Sequence, residues 1–556
     1  MVSNKFFYAV IGSCIVIYLI GIFAIPLMDI DASQYASISR EMIERDSFLQ
    51  IFDRGQNYLD KPPLLFWLSA ISMQLLGVYD WAYRLPSLLV LLAGIYATYQ
   101  FAAIYYGATI AKLSAMILAS SQALFLISHD VRTDTMLMGW VMLSIWQLSV
   151  WFKLQRWINF LLAFVFIGCG MMTKGPIALM VPGLAFASHF LLQRNWKQFY
   201  RWEYLVGIFI IGIILLPMCV GLYQQYDLQP GKLINGRPID SGLRFYFWTQ
   251  SFGRYTGENF YHEMSYFTFL FENMFWSFLP WIFFFLPALF FAIKELFKHK
   301  LQISSEQEFI TYGGFILTYI ILARSQAQLP HYIFVVYPLA AVITGKFLYD
   351  LFYLNKLVKW LKPLYYFHLF IFVLLWIAII VITGLVFNEV SYLFSILAIF
   401  GFGLFVWVVA KKTVIIPTGL AIALLTSIGV NFLLSSSFYP QLLQYQMGND
   451  AAKAIKEKQL NPNDIKLYGI HNSNALHFYA KHIFPYESNK QLFKQTEKVL
   501  TSKDSVGVFK NLFPAAEIVH EGNQFSVSML TFQFLNPASR AEATGRYVIL
   551  DLDGKP

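Results

Sequence analysis

Two aspartates and a small set of basic residues carry the chemistry this sequence can offer. Asp31 lies in the run MDIDASQYASISREM and Asp134 in HDVRTDTM. A carboxylate at a membrane boundary can serve as a general base, or can stabilise a cationic, sugar-like transition state. It can equally cap a helix, and Asp31 fits that reading because the helical pattern Tyr35, Ile38, Met42 follows it. Four basic residues stand beside apolar runs: Lys61 in DKPP, Arg132 in HDVRTD, Lys174 in MTKGP and Arg324 in ARSQAQLPHY. Any one of them alone can snorkel to the interface. All four fall on one expected side of the membrane, and charge beside hydrocarbon is costly. Together they imply a polar cavity open to that face, with donors suited to a lipid phosphate.

The segment 224–267 adds Arg237, Arg244, Arg254, Glu258, His262 and Glu263, most of them within RFYFWTQSFGRYTGENFYHEM. Its aromatics are read either as an interfacial belt or as a grip on a sugar or prenyl chain. His471, His477 and His482 lack a regular metal-ligand spacing.

The elements that must position these residues are membrane helices. Hydrophobic residues make up 57% of the 556, with 54 Phe and a charged fraction of 13%; the mean hydropathy is +0.54. A soluble fold could not keep a polar surface with that composition. The net charge of +9 is accounted for by basic residues that fix topology, so nucleic acid is not an expected partner. Cys14, Cys169 and Cys219 lie in apolar runs and suggest neither a disulfide nor a metal site. At about 20 apolar residues per span, about thirteen are expected: 6–28, 84–106, 109–127, 135–152, 157–172, 175–192, 204–223, 268–292, 309–323, 332–349, 364–387, 391–410 and 413–435. Run 6–28 is read as a retained helix. The short Lys- and Arg-bearing loops then lie inside, while loops 29–83 and 224–267 and everything after Tyr439 lie outside. The charge-rich stretch 29–63 is expected to run along the membrane surface and roof the site. Residues 441–556, where charge, Gly and Asn return, read as a small α/β domain. The fold class expected is a polytopic all-α membrane protein with this domain appended, divided as 1–440 and 441–556.

Six motifs in order, IDASQYASISREM, DKPPLLFW, RTDTMLMGW, MTKGP, FWTQSFGRY and AQLPHYIFVVYPLA, resemble bacterial members of the GT-C glycosyltransferase superfamily. The likeness covers about residues 1–440 and is nearest to the 4-amino-4-deoxy-L-arabinose lipid A transferases and protein-mannosyltransferase-like enzymes. It implies a GT-C fold and transfer of a sugar, with inversion, from a polyprenyl phosphate carrier to a lipid, glycan or protein acceptor. The site would lie on the periplasmic side of a bacterial inner membrane. By matching positions, the resemblance implies that Asp31 and Asp134 are catalytic. Lys61, Lys174, Arg254 and Tyr332 would hold or surround the carrier phosphate. Asp60, Arg132, Arg324 and His331 would serve the acceptor or support the site. The chain departs from the family at Ala32, where a second acid is common, and at Gln34, Ser251 and Gln328. No cofactor is indicated. A divalent cation would have to bridge the loops of Asp60 and Ser251, and a serine stands where the family carries histidine. A protein O-glycosyltransferase, a lipid-linked sugar flippase and a non-catalytic lipid-binding scaffold are the alternatives.

Overall fold

Among the described residues, nine helices are long and apolar enough to cross a membrane. The structure, a computed structural model, describes the chain except residues 1, 235, 257, 259–265, 299–302, 305–306, 355–357, 388–391, 412–414 and 555–556, together with the side chains at 237, 254, 255, 358 and 415–417. The difference from the expected spans comes from four identifiable segments. The run 109–127 forms α5 (Ala108–Ala119) and α6 (Gln122–His129), bent by 54°. At the bend Ser120 and Ser121 donate their hydroxyls back to the carbonyls of Met116 and Leu118, and such back-bonding bends helices. The run 268–292 is divided into Phe269–Ser277 and Ile282–Lys298. Pro280 lies between the two pieces and has no N–H to carry the ladder across. The runs 175–192 and 309–323 form α9 (Ile177–Leu192) and Ile310–Ala323, which are shorter than a full crossing.

Helix contacts hold the site from below. α4 (Asp80–Tyr106) packs along α7 (Thr133–Leu154) so closely that a Cβ on Gly94 would meet the Gly139 Cα at 2.8 Å. Small residues that let backbones approach are a general device for joining membrane helices. Here they seat the start of α7, and with it Asp134, against α4. Arg84, on the first turns of α4, is fully buried and donates to the carbonyls of Ile22, Ile25 and Pro26 at 2.9, 2.6 and 3.0 Å. It thereby satisfies one free carbonyl in the last turn of α1 (Asn4–Ala24) and those of the two residues that follow the helix.

The charged stretch after α1 folds into α2 (Asp31–Arg45), with Asp31 at its positive end, Arg45 in its last turn and Asp46 in the left-handed conformation as C-cap. Pairs Arg40–Glu44 and Glu41–Arg45, at 3.3 and 2.6 Å, support the helix. α2 does not lie open on a surface. It is covered on one side by α3 (Leu64–Leu76) and on the other by the short helix Asn474–Tyr479, so that Ala32, Tyr35, Ile38, Ser39 and Met42 are all buried.

The segment after the last span forms helix Met447–Glu457 and a four-stranded sheet. Strand Ile465–Tyr468 pairs in parallel with Lys498–Ser502, which pairs antiparallel with Gly545–Asp551. That strand in turn pairs antiparallel with Glu517–Gln524. The sheet unit is stitched to the end of α1. Gln446 accepts from Asp29 N–H at 2.9 Å and donates to Leu27 O at 2.9 Å, while Ser473 Oγ and Ala475 N–H donate to the Asp29 carboxylate.

Arg40 joins this seam by donating to His477 O. His477 itself is buried, accepting from Phe484 N–H at 3.1 Å. Burial, reinforced by the charges of Arg54 and Arg40, pushes its pKa from 6.5 down to about 3. The folded His477 therefore stays neutral in a pH range where the unfolded chain binds a proton. Its contribution to stability is complete above pH 6.5 and is lost as pH falls toward 3. The melting temperature of the purified protein should drop between pH 7 and pH 4, and His477→Gln should flatten that dependence. Equal slopes for the two proteins would rule the histidine out as the cause.

Candidate active site

Most of the residues singled out in the sequence meet in one polar cluster. Asp31, at the first turn of α2, accepts from Arg132 Nη1 at 2.7 Å through Oδ2. Its Oδ1 has no hydrogen-bond partner among the described residues. Arg132 lies in the turn between α6 and α7, where its Nε also donates to Asp130 at 3.1 Å. Burial opposes its charge, but Asp130 and Asp31 outweigh that effect and hold its pKa above the ordinary arginine value. The same Nη1 lies 3.3 Å from Nδ1 of His331, in the 3-10 turn Pro330–Val336. Since arginine can only donate, Nδ1 accepts, and the Nε2–H of the neutral ring points to Asp134. That separation is 3.5 Å, an electrostatic contact rather than a hydrogen bond.

Asp134, in the first turn of α7, is 1% exposed and is held by Lys174, whose ammonium donates to Oδ1. Lys174 ends α8 (Trp157–Lys174), and Gly175, at φ +118, lets the chain turn away at that point. The Lys174 ammonium also sits 4.0 Å from the centroid of the Tyr332 ring, a cation–π contact. Lys61 is close enough to act electrostatically on both Lys174 and His331. It pairs with Asp60 at 3.3 Å, and the Gln250 amide donates to Asp60 O and Oδ1 at 2.8 and 3.1 Å. The segment FWTQSFGRY thus reaches the DKPP turn, as a shared site requires.

A bridging divalent cation does not fit this donor set. Asp60 is engaged by Lys61 and Gln250, and the Ser251 hydroxyl is directed to Tyr246 O at 3.4 Å. Arg324 is exposed and shows no hydrogen bond or ion pair to the cluster among the described residues. The side chains of Arg237 and Arg254, and residues His262 and Glu263, lie outside the described residues. Arg244, which is exposed, pairs with Glu258 at 3.5 Å.

The departures from the family pattern have local roles. Ala32 is fully buried. Gln34 donates to Asp53 at 2.7 Å, tying α2 to the hairpin Phe52–Asn57. Gln328 caps helix Ile310–Ala323 by donating to Ala323 O and Ser325 O at 2.9 and 3.2 Å.

Two site residues escaped the sequence reading. Asp130 was passed over as part of HDVRTD. Tyr58, in NYLDKPP, lines a cleft of about 370 Å³ with Lys61, Pro62, Pro63, Gln225 and Tyr246. It is 8% exposed, and its hydroxyl has no hydrogen-bond partner among the described residues. Its place three residues before Lys61 was the available signal.

Residues 60–220 match the family model described as dolichyl-phosphate-mannose-protein mannosyltransferase. An undecaprenyl phosphate-alpha-4-amino-4-deoxy-L-arabinose arabinosyl transferase of Edwardsiella ictaluri is 23% identical over 57% of this chain and 54% of its own length. A similar enzyme of Pseudomonas fluorescens is 26% identical over 48% of this chain and 45% of its own length. The chain therefore spans about half the length of these curated relatives. In three dimensions the likeness runs the full length of the chain: the crystal structure of ArnT from Cupriavidus metallidurans bound to undecaprenyl phosphate superimposes with a TM-score of 0.74, 19% identity and full coverage of both chains. The protein is a multi-pass membrane protein of the GT-C fold. Within that class its architecture is that of ArnT, including a small C-terminal sheet unit.

The Asp134–Lys174 pair gives a direct test of the cluster's electrostatics. Lys174→Met leaves a buried carboxylate uncompensated and should cost about 3–5 kcal/mol of stability. Adding Asp134→Leu should recover much of that loss, giving a strongly non-additive cycle in thermal unfolding of the detergent-solubilised protein. Additive losses would mean that the two charges are not coupled.

Proposed function

We propose that this protein is an integral membrane glycosyltransferase that moves a sugar from a polyprenyl phosphate carrier to an acceptor on the periplasmic face of a bacterial inner membrane. In this reading residues 1–440 form the catalytic membrane domain, and residues 441–556 form a domain on the periplasmic side. The observation that carries it is the convergence of Asp31, Arg132, His331, Asp134, Lys174 and Lys61 at one end of the helices. The similarity to undecaprenyl phosphate-alpha-4-amino-4-deoxy-L-arabinose arabinosyl transferases supports this class of donor.

In the reaction an acceptor oxygen attacks the anomeric carbon from the face opposite the carrier. The bond from that carbon to the phosphate oxygen breaks, and the phosphate leaves with the electron pair. Lys61 and Lys174 stabilise that developing charge, Tyr332 orients the Lys174 ammonium, and Arg254 supplies further positive charge. The acceptor's proton passes to Asp31, whose Oδ1 is available while Oδ2 is held by Arg132. Asp134 is a positioning residue, because its contacts run to Lys174 and His331. The acceptor is an envelope lipid or glycan, lipid A among them. A protein acceptor would use the same groups.

The test is release of free undecaprenyl phosphate by the purified protein, supplied with the sugar-charged carrier and a crude envelope extract. Asp31→Asn should abolish release. Lys61→Ala should slow it by roughly 10²-fold, as loss of one transition-state donor generally does. Full activity in Asp31→Asn would remove that residue from the mechanism. A flippase would move the charged carrier across a bilayer without freeing the phosphate.

A further inference from the structure

Between Glu521 and Arg540 the chain carries no charged residue, in a C-terminal segment otherwise rich in charge. Within that stretch residues 525–534 form a loop closed at its base by two rings, Phe525 and Phe534, stacked at 3.7 Å with an interplanar angle of 10°. The base is fixed to the ends of the membrane helices. Phe525 N–H donates to Tyr445 O at 2.9 Å, and Phe534 is fully buried beside Phe387 and Tyr445. Arg540 locks the arrangement by donating to Phe534 O at 3.0 Å and to Val386 O, with its guanidinium 4.6 Å from the Phe387 ring centroid. Ile25, Val386, Phe438 and Leu442 complete the cluster.

The tip of the loop is unpacked and apolar. Met529 is 73% exposed and Phe532 is 92% exposed, with Leu530 exposed between them. On the neighbouring span Lys359–Val386, Val381 and Leu385 are exposed as well, one turn apart and next to the carbonyl that Arg540 holds. A large apolar residue left in water without a partner is unfavourable. At the end of a membrane span the covering medium is at hand.

We propose that the loop tip, Met529 to Phe532, inserts into the leaflet on the side of the C-terminal segment and anchors the sheet unit to the bilayer surface. The occupant of this apolar surface is lipid, because the loop's base is continuous with the packed ends of the spans and its tip carries no charge for a polar partner. The opposite side of the same loop, Phe525 to Ser528, walls a cavity of about 720 Å³ whose other wall includes Asp29 and Ile30, next to Asp31 in sequence. The anchor therefore sets that cavity at the level of the lipid headgroups.

The test uses the full chain reconstituted in nanodiscs of phosphatidylethanolamine and phosphatidylglycerol. In a background of Cys14→Ala, Cys169→Ala and Cys219→Ala, an environment-sensitive fluorophore is attached at Phe532→Cys, at Met529→Cys or, as the aqueous control, at Lys453→Cys on the exposed face of helix Met447–Glu457. The two loop labels should emit at shorter wavelength than the control. Acyl-chain spin-labelled lipid should quench them several-fold more strongly, and iodide several-fold more weakly. Iodide quenching of both loop labels equal to that of the control, in protein whose melting temperature matches the cysteine-free parent, would overturn the proposal.

Discussion

Charge at the edge of hydrocarbon must be compensated, and that constraint organises this site. Asp31 and Asp130 share Arg132, Asp134 holds Lys174, and Asp60 is paired with Lys61. Two of these pairs, Asp31–Arg132 and Asp134–Lys174, join elements 101 and 40 positions apart in sequence. The contacts that make the charges tolerable therefore also fix α2, the turn before α7 and the end of α8 relative to one another, while Gln250 ties the DKPP turn to the segment 247–255. Preorganisation of the polar groups thus follows in part from charge compensation, which acts together with the helix packing beneath the site.

The charge balance of the cluster has a bearing on the donor. Asp31, Asp60, Asp130 and Asp134 are set against Lys61, Arg132 and Lys174, so carboxylates outnumber cations. In the proposed reaction the carrier phosphate brings further negative charge to this cluster, and Arg254, proposed for that role on motif alone, belongs to the segment that Gln250 ties to Asp60.

The membrane class, the order of the motifs and the α/β character of the C-terminal segment were legible in the amino-acid sequence, because composition and the run of apolar residues report them directly. Partnership was not. Asp31 and Arg132 stand 101 positions apart, and no periodicity links them. Arg324 matched the same criterion as Lys61 and Lys174 yet lies exposed, because a basic residue that snorkels and one that lines a cavity obey the same hydropathy pattern. Helix continuity was not legible where a run of apolar residues hid a backbone interruption. Pro280 was visible and should have divided its run. The bend at Ser120 and Ser121 depends on hydroxyls turning inward, helped by Trp281 donating to Ser120, a contact that only the folded chain supplies.

The C-terminal unit bears on the site through the start of α2. The end of α1 is gripped by Gln446, Ser473 and Ala475 at Asp29 and by Tyr479, which donates to Asp80 and accepts from Leu27 N–H at 2.7 Å. Asp31 follows two residues later, so the direction in which its carboxylate leaves the helix is set from both sides of the seam. With Ala32 buried and Gln34 committed to Asp53, Asp31 is the acid that the first turn of α2 presents to Arg132 and the polar cluster.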